Sequence, residues 1–201
     1  MAGRPREFDR DEALRKARDL FWTRGYEGVS MADLVDVLGI ASARIYAAFG
    51  SKAALFREAI DLYEREEGGF AARALAEEKT ALDAVERTLV KAIELYTRAG
   101  RPKGCMVVTA AVNCAEENGP VADELMERRR TRTEAFLDRM VKGVADGDLA
   151  SDCDVAALAD FVAALLHGVS VQARDGVSRD RLLKIVPAAV GVMQRAGSDE
   201  S

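Results

Sequence analysis

The chain has few of the side chains on which catalysis and metal binding usually depend. Its 201 residues include one histidine and three cysteines, and the cysteine spacings match no zinc pattern. The sequence also lacks a glycine-rich phosphate loop and a histidine paired with carboxylates. We therefore expect no enzyme activity, no metal and no cofactor. Three cysteines make no disulfide framework and fit a reducing compartment.

Long hydrophobic runs are absent as well. The most apolar stretch, residues 155–171, is interrupted by Asp160 and His167, and the first ten residues contain no hydrophobic region typical of a secretory signal. A chain of this length can bury a substantial core in one large domain or two small ones. These features predict a cytoplasmic protein with no membrane partner.

The sequence has no excess of positive charge. Its net charge is −5, yet residues 1–52 carry nine Lys or Arg against eight Asp or Glu, whereas residues 53–201 carry twenty against twenty-six. The acidic balance therefore lies outside the first quarter of the chain. A segment so weakly basic excludes strong non-specific affinity for nucleic acid, so DNA binding would have to depend on specific contacts and dimerisation.

Residues 28–52 are the most informative segment that is present. Ser30 and Asp33 form a capping pair that predicts the start of a helix, and Gly39 suits the left-handed conformation in which helices often end. A second helix is predicted from about Ser42. Two short helices joined by a glycine turn are typical of a helix-turn-helix, which occurs in DNA-binding proteins and also in domains with no nucleic-acid role.

The second of these helices has two unlike faces. Ile45 and Phe49 are expected to face inward, and the opposite side carries small, hydrogen-bonding or cationic side chains. These are Ser42, Ala43, Arg44, Tyr46 and Ala47. Arginine pairs with guanine edges or phosphates, hydroxyls pair with phosphates, and alanine contacts thymine methyls. The alternative to a DNA-reading surface is a solvated helical hairpin.

The flanking segments extend the pattern. Asp9 and Glu12 predict the cap of an earlier helix that ends at Gly25, and Ser51 predicts the cap of a fourth helix. Apolar residues recur three and four positions apart in both. Three helices should therefore form a small core from which the fourth leads away.

With these flanks, the sequence resembles the TetR family of bacterial transcriptional regulators over about its first third. The matching positions keep a fixed spacing without gaps: Ala13, Leu14, Leu20, Phe21, Gly25 to Gly28, Ser30, Asp33, Leu34, Leu38 to Ile40, Ile45, Tyr46, Phe49, Lys52, Leu55 and Phe56. The resemblance implies an all-α fold of about nine helices. It implies a three-helix helix-turn-helix DNA-binding domain in residues 1–67 and a helical domain for ligand binding and dimerisation in residues 68–201.

The resemblance also implies which residues meet DNA. Three residues at the start of the second helix reach base edges in the major groove: Ser42, Ala43 and Arg44. Tyr46 and Ser30 contact phosphates, and Lys52 clamps the DNA backbone. Arg4 and Arg6 lie in a leader that would either reach the minor groove as a basic arm or form a disordered solubilising tail.

Capping pairs and breaks divide the rest of the chain into further helices. Thr80 and Asp83 predict a helix that ends before Gly100, a short apolar element follows over residues 106–117, and residues 118–144 form a long charged helix. Four arginines lie in the middle of that helix, at positions 128, 129, 130 and 132. We interpret them as a solvated face rather than a second DNA site, because glutamates alternate with them.

The last two helices are apolar over more than half of their circumference. Ser151 with Asp154 predicts the cap of the first, and the second follows Ser178. Such helices need partners on two sides, either within the core of a lone domain or, as is usual in the family, in a two-fold four-helix bundle. The residues predicted at this dimer interface are Leu158, Val162, Leu165, Leu166, Leu182, Ile185, Val186, Val190 and Met193. A dimer with two heads implies an inverted-repeat operator.

An effector pocket is expected between the head and the dimer interface. Its predicted residues mix apolar bulk with a few hydrogen-bonding groups, as small-molecule pockets do. They are Tyr96, Met106, Thr109, Asn113, Phe136, Met140, Phe161 and His167. The alternative for each is ordinary core packing, and His167 has no sequence partner that would make it a ligand or a catalyst.

Cys105 is the cysteine with a possible chemical role. It follows Arg101 and Lys103 at a predicted helix N-terminus, a setting that would lower the pKa of its thiol. The sequence Gly104-Cys105-Met106 is similar to a motif in a branch of TetR-like regulators, some of which sense electrophiles or oxidants through cysteine. The alternative is a small buried side chain that fills space.

Together these features predict a dimeric regulator whose DNA binding is gated by a ligand or a thiol. It would act as a repressor that a small hydrophobic or electrophilic effector releases from its operator, with the fourth helix, residues 52–67, as a lever between effector and head. One alternative is a redox or electrophile sensor based on Cys105. The other is a helical interaction protein that has lost DNA binding.

Overall fold

Every regular element of the described structure is helical. The computed structural model describes residues 8–196, and this range contains no strand. The α-helices are α1 (Arg10–Arg24), α2 (Met31–Leu38), α3 (Ser42–Phe49), α4 (Lys52–Tyr63), α5 (Phe70–Glu77), α6 (Ala81–Tyr96), α7 (Met106–Thr109), α8 (Gly119–Asp146), α9 (Val155–Arg174), α10 (Arg179–Leu183) and α11 (Ile185–Ala196). A π-helical turn, Glu64–Gly68, follows α4, and a 3₁₀ turn, Glu116–Asn118, precedes α8. The predicted all-α fold is confirmed.

Helices α1 to α4 form the head, and local capping fixes where they begin and end. Asp9 caps α1, Ser51 caps α4, and Ser30 and Asp33 form a reciprocal capping box at the start of α2. Gly39 ends α2 with φ of 69°, in the left-handed region that a residue without Cβ enters most readily. These features set the angle at which α3 follows α2, as the sequence predicts.

The core of the head is aromatic. The Phe56 ring lies with its centroid 5.1 Å from both Phe21 and Tyr26, in edge-to-face geometry. Ile45 and Phe49 lie on the inner side of α3 and are buried. Burial of each such side chain stabilises the fold by roughly 1.5–3 kcal/mol. The backbone of α3 is therefore anchored from one side while its other side remains free.

Helix α6 occupies the centre of the C-terminal part, where it contacts α5, α9 and α11, and α8 packs along α9. Thr80 caps α6 through the Asp83 N–H, as predicted. The long helix α8 begins at Gly119 with Pro120 in its first turn. Proline is tolerated there because its missing N–H would have no helical partner.

Three local predictions are wrong. The apolar element expected over residues 106–117 contains a single α-helical turn, α7, before the chain leaves the helical conformation. Ser151 does not cap α9, because Asp154 itself accepts from the Ala157 N–H. The helix expected after Ser178 is divided at Lys184, since Pro187 has no N–H to continue the helical ladder from α10 into α11.

The loop after α7 docks on the turn between α1 and α2. The Tyr26 N–H donates to the Ala110 carbonyl oxygen at 2.6 Å, and the Glu27 carboxylate accepts from the Ala115 N–H at 2.9 Å and the Asn118 amide at 2.8 Å. These two bonds lower the pKa of Glu27. The head is thus bonded to the C-terminal part, and a domain boundary at residues 67 and 68 stays a prediction.

Helix α9 is long and apolar enough to span a membrane by length and composition alone, with a mean hydropathy of 1.6. One side packs on α6 and α8 and buries Val162, Leu166 and Val169. The opposite side also carries apolar residues, and Val171 is 47% exposed there. Two apolar faces on one packed helix explain the hydropathy.

Candidate functional sites: the recognition helix and the Cys105 junction

The outer face of α3 presents the side chains that helical spacing predicts. Ala43, Arg44 and Ala47 are exposed, Tyr46 is 47% exposed, and Ser42 is half-buried at the start of the helix. No carboxylate occurs in α3. The side chains of this face are therefore mostly small, one of them is cationic, and the face is open to solvent. Its contact with DNA stays a prediction.

Arg44 is held at one edge of this face by an aromatic ring. Its guanidinium lies 5.5 Å from the centroid of Phe8, and the Phe8 ring itself contacts Phe49 edge-on at 6.4 Å. An exposed cation–π contact of this kind stabilises by about 0.5–1 kcal/mol. Among residues 8–196 no carboxylate pairs with Arg44, so within this range no ion pair has to break before it binds another group.

Lys52 lies at the start of α4, next to the same face. Its Nζ is 4.1 Å from the centroid of the Tyr26 ring. Partial burial lowers the pKa of Lys52, and the Glu27 carboxylate opposes that shift. The Tyr26 ring thus holds the ammonium in place, and no carboxylate of the described residues pairs with it directly.

Ser30 is less free than the sequence suggests. Its hydroxyl donates to the Asp33 carboxylate and accepts from the Asp33 N–H, and bonds from Ser30 and Arg24 lower the pKa of Asp33. A phosphate contact by the hydroxyl would have to replace the bond to the carboxylate. The predicted arm residues Arg4 and Arg6 lie outside the described residues.

Cys105 stands where the head meets the C-terminal part. It precedes α7, it is 1% exposed, and its N–H donates to Ser170 Oγ of α9 at 2.7 Å. Trp22 of α1 donates through Nε1 to the adjacent Gly104 carbonyl at 2.9 Å. The Tyr63 hydroxyl of α4 donates to Cys105 Sγ at 3.4 Å.

Arg132 of α8 supplies the positive charge beside this thiol. Its Nη1 lies 3.8 Å from Cys105 Sγ. Burial raises the pKa of Cys105, but the Arg132 guanidinium and hydrogen bonds, including those from Tyr63 and Tyr96, lower it below the usual thiol value. Conversely, the thiolate helps keep Arg132 charged against burial and raises its pKa.

The predicted direction of the Cys105 pKa shift agrees with the structure. The cations that the sequence predicted as its cause are wrong. Arg101 pairs instead with Asp19 and Glu67. Lys103 donates to two backbone carbonyls at the end of α6. The cations nearest to Cys105 in sequence therefore bind other groups. Nothing in the sequence predicted Arg132, because it follows 27 residues later on another helix.

The arginine run in α8 is not one solvated face. Only Arg130 fits that interpretation, with exposed pairs to Glu127 and Glu134. Arg129 donates to the Val107 carbonyl at 2.9 Å. Arg128 and Arg132 also turn inward, toward the π-helical turn. Three of the four arginines thus connect α8 to neighbouring elements, so the prediction of a solvated face is wrong for them.

The π-helical turn Glu64–Gly68 links α4 to its surroundings. A π turn adds one residue to each helical turn, and here its carboxylates point in different directions. They pair with arginines of three segments: Glu64 with Arg128 and Arg132 in α8, Glu66 with Arg18 in α1, and Glu67 with Arg98 and Arg101 after α6. The end of the predicted lever is therefore fastened to both the head and the C-terminal part.

The predicted effector pocket is filled by its own side chains. Tyr96, Met106, Phe136 and Met140 are buried to 1% exposure or less and pack in the core. Thr109 and His167 are half-buried, and burial together with nearby Arg129 and Arg132 lowers the pKa of His167. Asn113 is exposed after α7, and Phe161 is half-buried and packs against the core, so a place in a pocket stays a prediction for both.

The predicted dimer residues divide into two groups. Six of them are buried within a single protomer and cannot be the main interface contacts: Leu158, Val162, Leu166, Leu182, Val186 and Met193. Leu165, Ile185 and Val190 remain partly exposed. The sequence pattern could not separate the groups, since both faces of these helices are apolar.

Two family models match the chain, one at each end. "Bacterial regulatory proteins, tetR family" matches residues 13–59, and "Tetracyclin repressor-like, C-terminal domain" matches residues 81–186. The HTH-type transcriptional repressor ComR of Escherichia coli (strain K12) is 34% identical over 91% of this chain and 88% of its own length. The chain belongs to the TetR family.

Other relatives of this TetR-family member are also transcriptional regulators. The HTH-type transcriptional repressor BdcR of the same strain is 29% identical over 90% of the chain and 87% of its own length. Among solved structures, a cysteine mutant of the TetR-family regulator CifR complexed with 26bp double-strand operator DNA is 43% identical with a TM-score of 0.90, over 95% of this chain and 100% of that one. The protein is a transcriptional regulator and not an enzyme.

Proposed function

We propose that the protein is a homodimeric repressor that binds an inverted-repeat operator in the cytoplasm and is released by a small electrophile. The observation that carries the DNA-binding part is the outer face of α3, where exposed Arg44 and Tyr46 stand beside Lys52 on a well-packed head. The CifR neighbour, alike over nearly the whole chain, is complexed with operator DNA.

The side chains on and around α3 would have different roles in DNA binding. Arg44 is the one side chain of the face that can form a bidentate pair with guanine, which discriminates against a wrong base by about 1–3 kcal/mol. Ser42 would reach a base edge beside Arg44. Tyr46 and Lys52 would contact phosphates, which position the head but carry no sequence information. Ala43 and Ala47 would let α3 approach the base edges closely.

Dimerisation would use the outer face of α9. Successive helical turns of this side carry residues that are exposed or half-buried in the protomer: Ala157, Phe161, Ala164, Leu165, Gly168 and Val171. Small residues among them permit close approach of a second helix, and Phe161 and Leu165 supply apolar area. Ile185 and Val190 of α11 would complete a bundle of four helices across the two-fold axis.

Cys105 would receive the effector. A lowered thiol pKa favours the thiolate, which is the nucleophilic form. The thiol contacts Tyr63 at the end of α4 directly, so an adduct on sulfur must displace this ring and shift the lever. A coupling of about 1–3 kcal/mol would weaken operator binding roughly 5- to 150-fold.

Mobility shifts on the DNA that flanks the gene for this protein test the first part. We expect binding that falls steeply when Arg44 and Tyr46 are both replaced by alanine, with unchanged far-UV circular dichroism. Absence of binding by the wild-type protein at any salt concentration would favour the alternative of an interaction protein that keeps the helix-turn-helix as scaffold.

The second part is tested on the bound complex. Exposure to a quinone, an aldehyde or hypochlorite should release wild-type protein from the operator, whereas Cys105→Ser should remain bound. Cys153→Ser is the matched control, because Cys153 is half-buried near the start of α9 and its pKa is raised by burial and two aspartates. Equal release of the wild type and Cys105→Ser would remove Cys105 from the mechanism.

A further inference from the structure

A groove of about 290 Å³ lies between α5 and α8 and opens to solvent. Its walls combine small side chains with the charged Glu64, Arg128 and Arg132. The residues that matter for its shape are Gly68, Ala72, Leu75, Thr131 and Ala135. The volume is close to the lower end of small-molecule sites, so the groove suits a compact ligand.

One residue that lines this groove contacts Cys105. Arg132 lines the groove and places Nη1 3.8 Å from Cys105 Sγ. Gly68 also lines it, and a Cβ added there would come within 2.7 Å of the Tyr63 ring. The Tyr63 hydroxyl is itself bonded to the sulfur. Arg132 therefore contacts the thiol itself, and Gly68 lies close to the ring of its partner Tyr63.

Arg132 is the groove-lining side chain that lies against the sulfur. It is 16% exposed, whereas Cys105 is 1% exposed. Its Nη2 lies 3.4 Å from Glu64 Oε1, so the carboxylate holds the guanidinium in this position. A buried thiol can react only if such a barrier moves, and a flexible side chain moves more easily than a helix.

We propose that the groove between α5 and α8 binds a compact, uncharged α,β-unsaturated carbonyl compound and conducts it to Cys105, with Arg132 as the gate and Glu64 as its latch. The inference rests on the proposed role of Cys105. The small walls accept the apolar part of the compound. The guanidinium donates hydrogen bonds to its carbonyl oxygen and orients the β-carbon toward sulfur.

The reaction needs no further reagent. The Cys105 thiolate attacks the β-carbon and forms a C–S bond, while the electrons of the C=C bond move to the carbonyl oxygen as an enolate. The Arg132 N–H groups stabilise that oxygen, and a proton from water then reaches the α-carbon. The product is a neutral thioether, so Arg132 loses its anionic partner on one side and keeps only Glu64, at the end of α4.

Narrowing the groove tests the route. In full-length protein with Cys114→Ser and Cys153→Ser, alkylation of Cys105 is followed by mass spectrometry with acrolein and with the larger N-ethylmaleimide. Ala72→Leu and Thr131→Leu replace exposed lining residues, so we expect both variants to fold. A leucine that narrows the groove should slow the larger reagent about tenfold, equivalent to about 1.4 kcal/mol of added barrier, and acrolein much less.

Ala145→Leu, an exposed substitution on α8 outside the groove, is the control and should change neither rate. Equal slowing of both reagents, or no slowing of either, would overturn the groove as the route. Cys105→Ser would still abolish release from the operator in that case, so failure of the route is distinguishable from failure of Cys105 as the responsive residue.

Replacing the gate gives a second readout. In Arg132→Met the thiolate loses the charge of Arg132 and keeps the hydrogen bonds from Tyr63, Tyr96 and the Val108 N–H and the charge of Arg129. The midpoint of the pH–rate profile should therefore move upward. The plateau rate with N-ethylmaleimide at high pH should rise, because a smaller barrier separates groove and sulfur. A plateau that stays unchanged or falls would contradict the role of Arg132 as gate.

Discussion

The outer face of α3 and the Cys105 junction are built in opposite ways. The face belongs to one short helix, and its side chains make few contacts within the protein. The junction is assembled from side chains of five helices: Trp22 of α1, Tyr63 of α4, Tyr96 of α6, Arg132 of α8 and Ser170 of α9. A change on the face should therefore alter DNA binding alone, whereas a change at the junction should alter stability, reactivity and coupling together.

The largest effect is expected from Trp22→Ala, which removes the central ring of the junction. Trp22 is fully buried, its centroid lies 4.7 Å from Tyr63, and its N–H is bonded to Gly104. Loss of a buried aromatic side chain should lower the free energy of unfolding by about 3–5 kcal/mol. Urea unfolding followed by circular dichroism measures this, since Trp22 is the only tryptophan.

Tyr46→Ala on the face is the matched aromatic substitution for that comparison. It should change the free energy of unfolding by no more than about 0.5 kcal/mol, because surface changes away from caps and cores are nearly neutral. A similar loss of stability in both variants would mean that the two regions are not built differently.

A charge on the outer face of α9 should break the dimer. Ala164→Arg places like charges against each other across a two-fold axis, which costs several kcal/mol. Sedimentation should show a monomer, and operator affinity should fall because two heads no longer bind together. Ala145→Arg on α8 is the control for the added charge, and its sedimentation should match that of the wild type.

Within the DNA-binding surface, Arg44 should read a base and Lys52 should bind the DNA backbone. Arg44→Ala should cost about 1–3 kcal/mol per half-site and relax base preference, whereas Lys52→Ala should weaken binding evenly across sequences and lower its salt dependence. Arg179→Ala on α10 removes the same charge far from the head and should do neither. Fluorescence anisotropy over a salt series with altered operators measures both, and identical behaviour of the two variants would contradict the division.

The smallest effect concerns His167, which faces the arginines behind the junction. Burial and Arg129 and Arg132 lower its pKa in the folded state, so the unfolded chain binds a proton first as the pH falls below about 6.5. The free energy of unfolding should therefore decline through that range. His167→Gln should remove this step, because no other histidine is present; an unchanged decline would assign it to carboxylates.

Local signals predicted much of the head. Asp9, Ser30 and Thr80 cap helices as expected, because a capping bond joins residues only three positions apart. The same signal failed at Ser151, where a nearer aspartate takes the role. Apolar periodicity predicts which helix forms, but it does not show which of two apolar faces packs within the protomer. Several predicted dimer residues are therefore buried in the core.

By itself, the sequence determined the family, the all-α fold and the side chains that α3 exposes, since each depends on periodicity and contacts a few residues apart. Only the tertiary structure decided what surrounds Cys105. The lysine and arginine nearest in sequence bind elsewhere, and the cation beside the thiol is Arg132, from a helix that begins after the thiol and packs back against it. Electrostatic influence falls with distance in space, and distance in space between remote residues is fixed only when the helices pack.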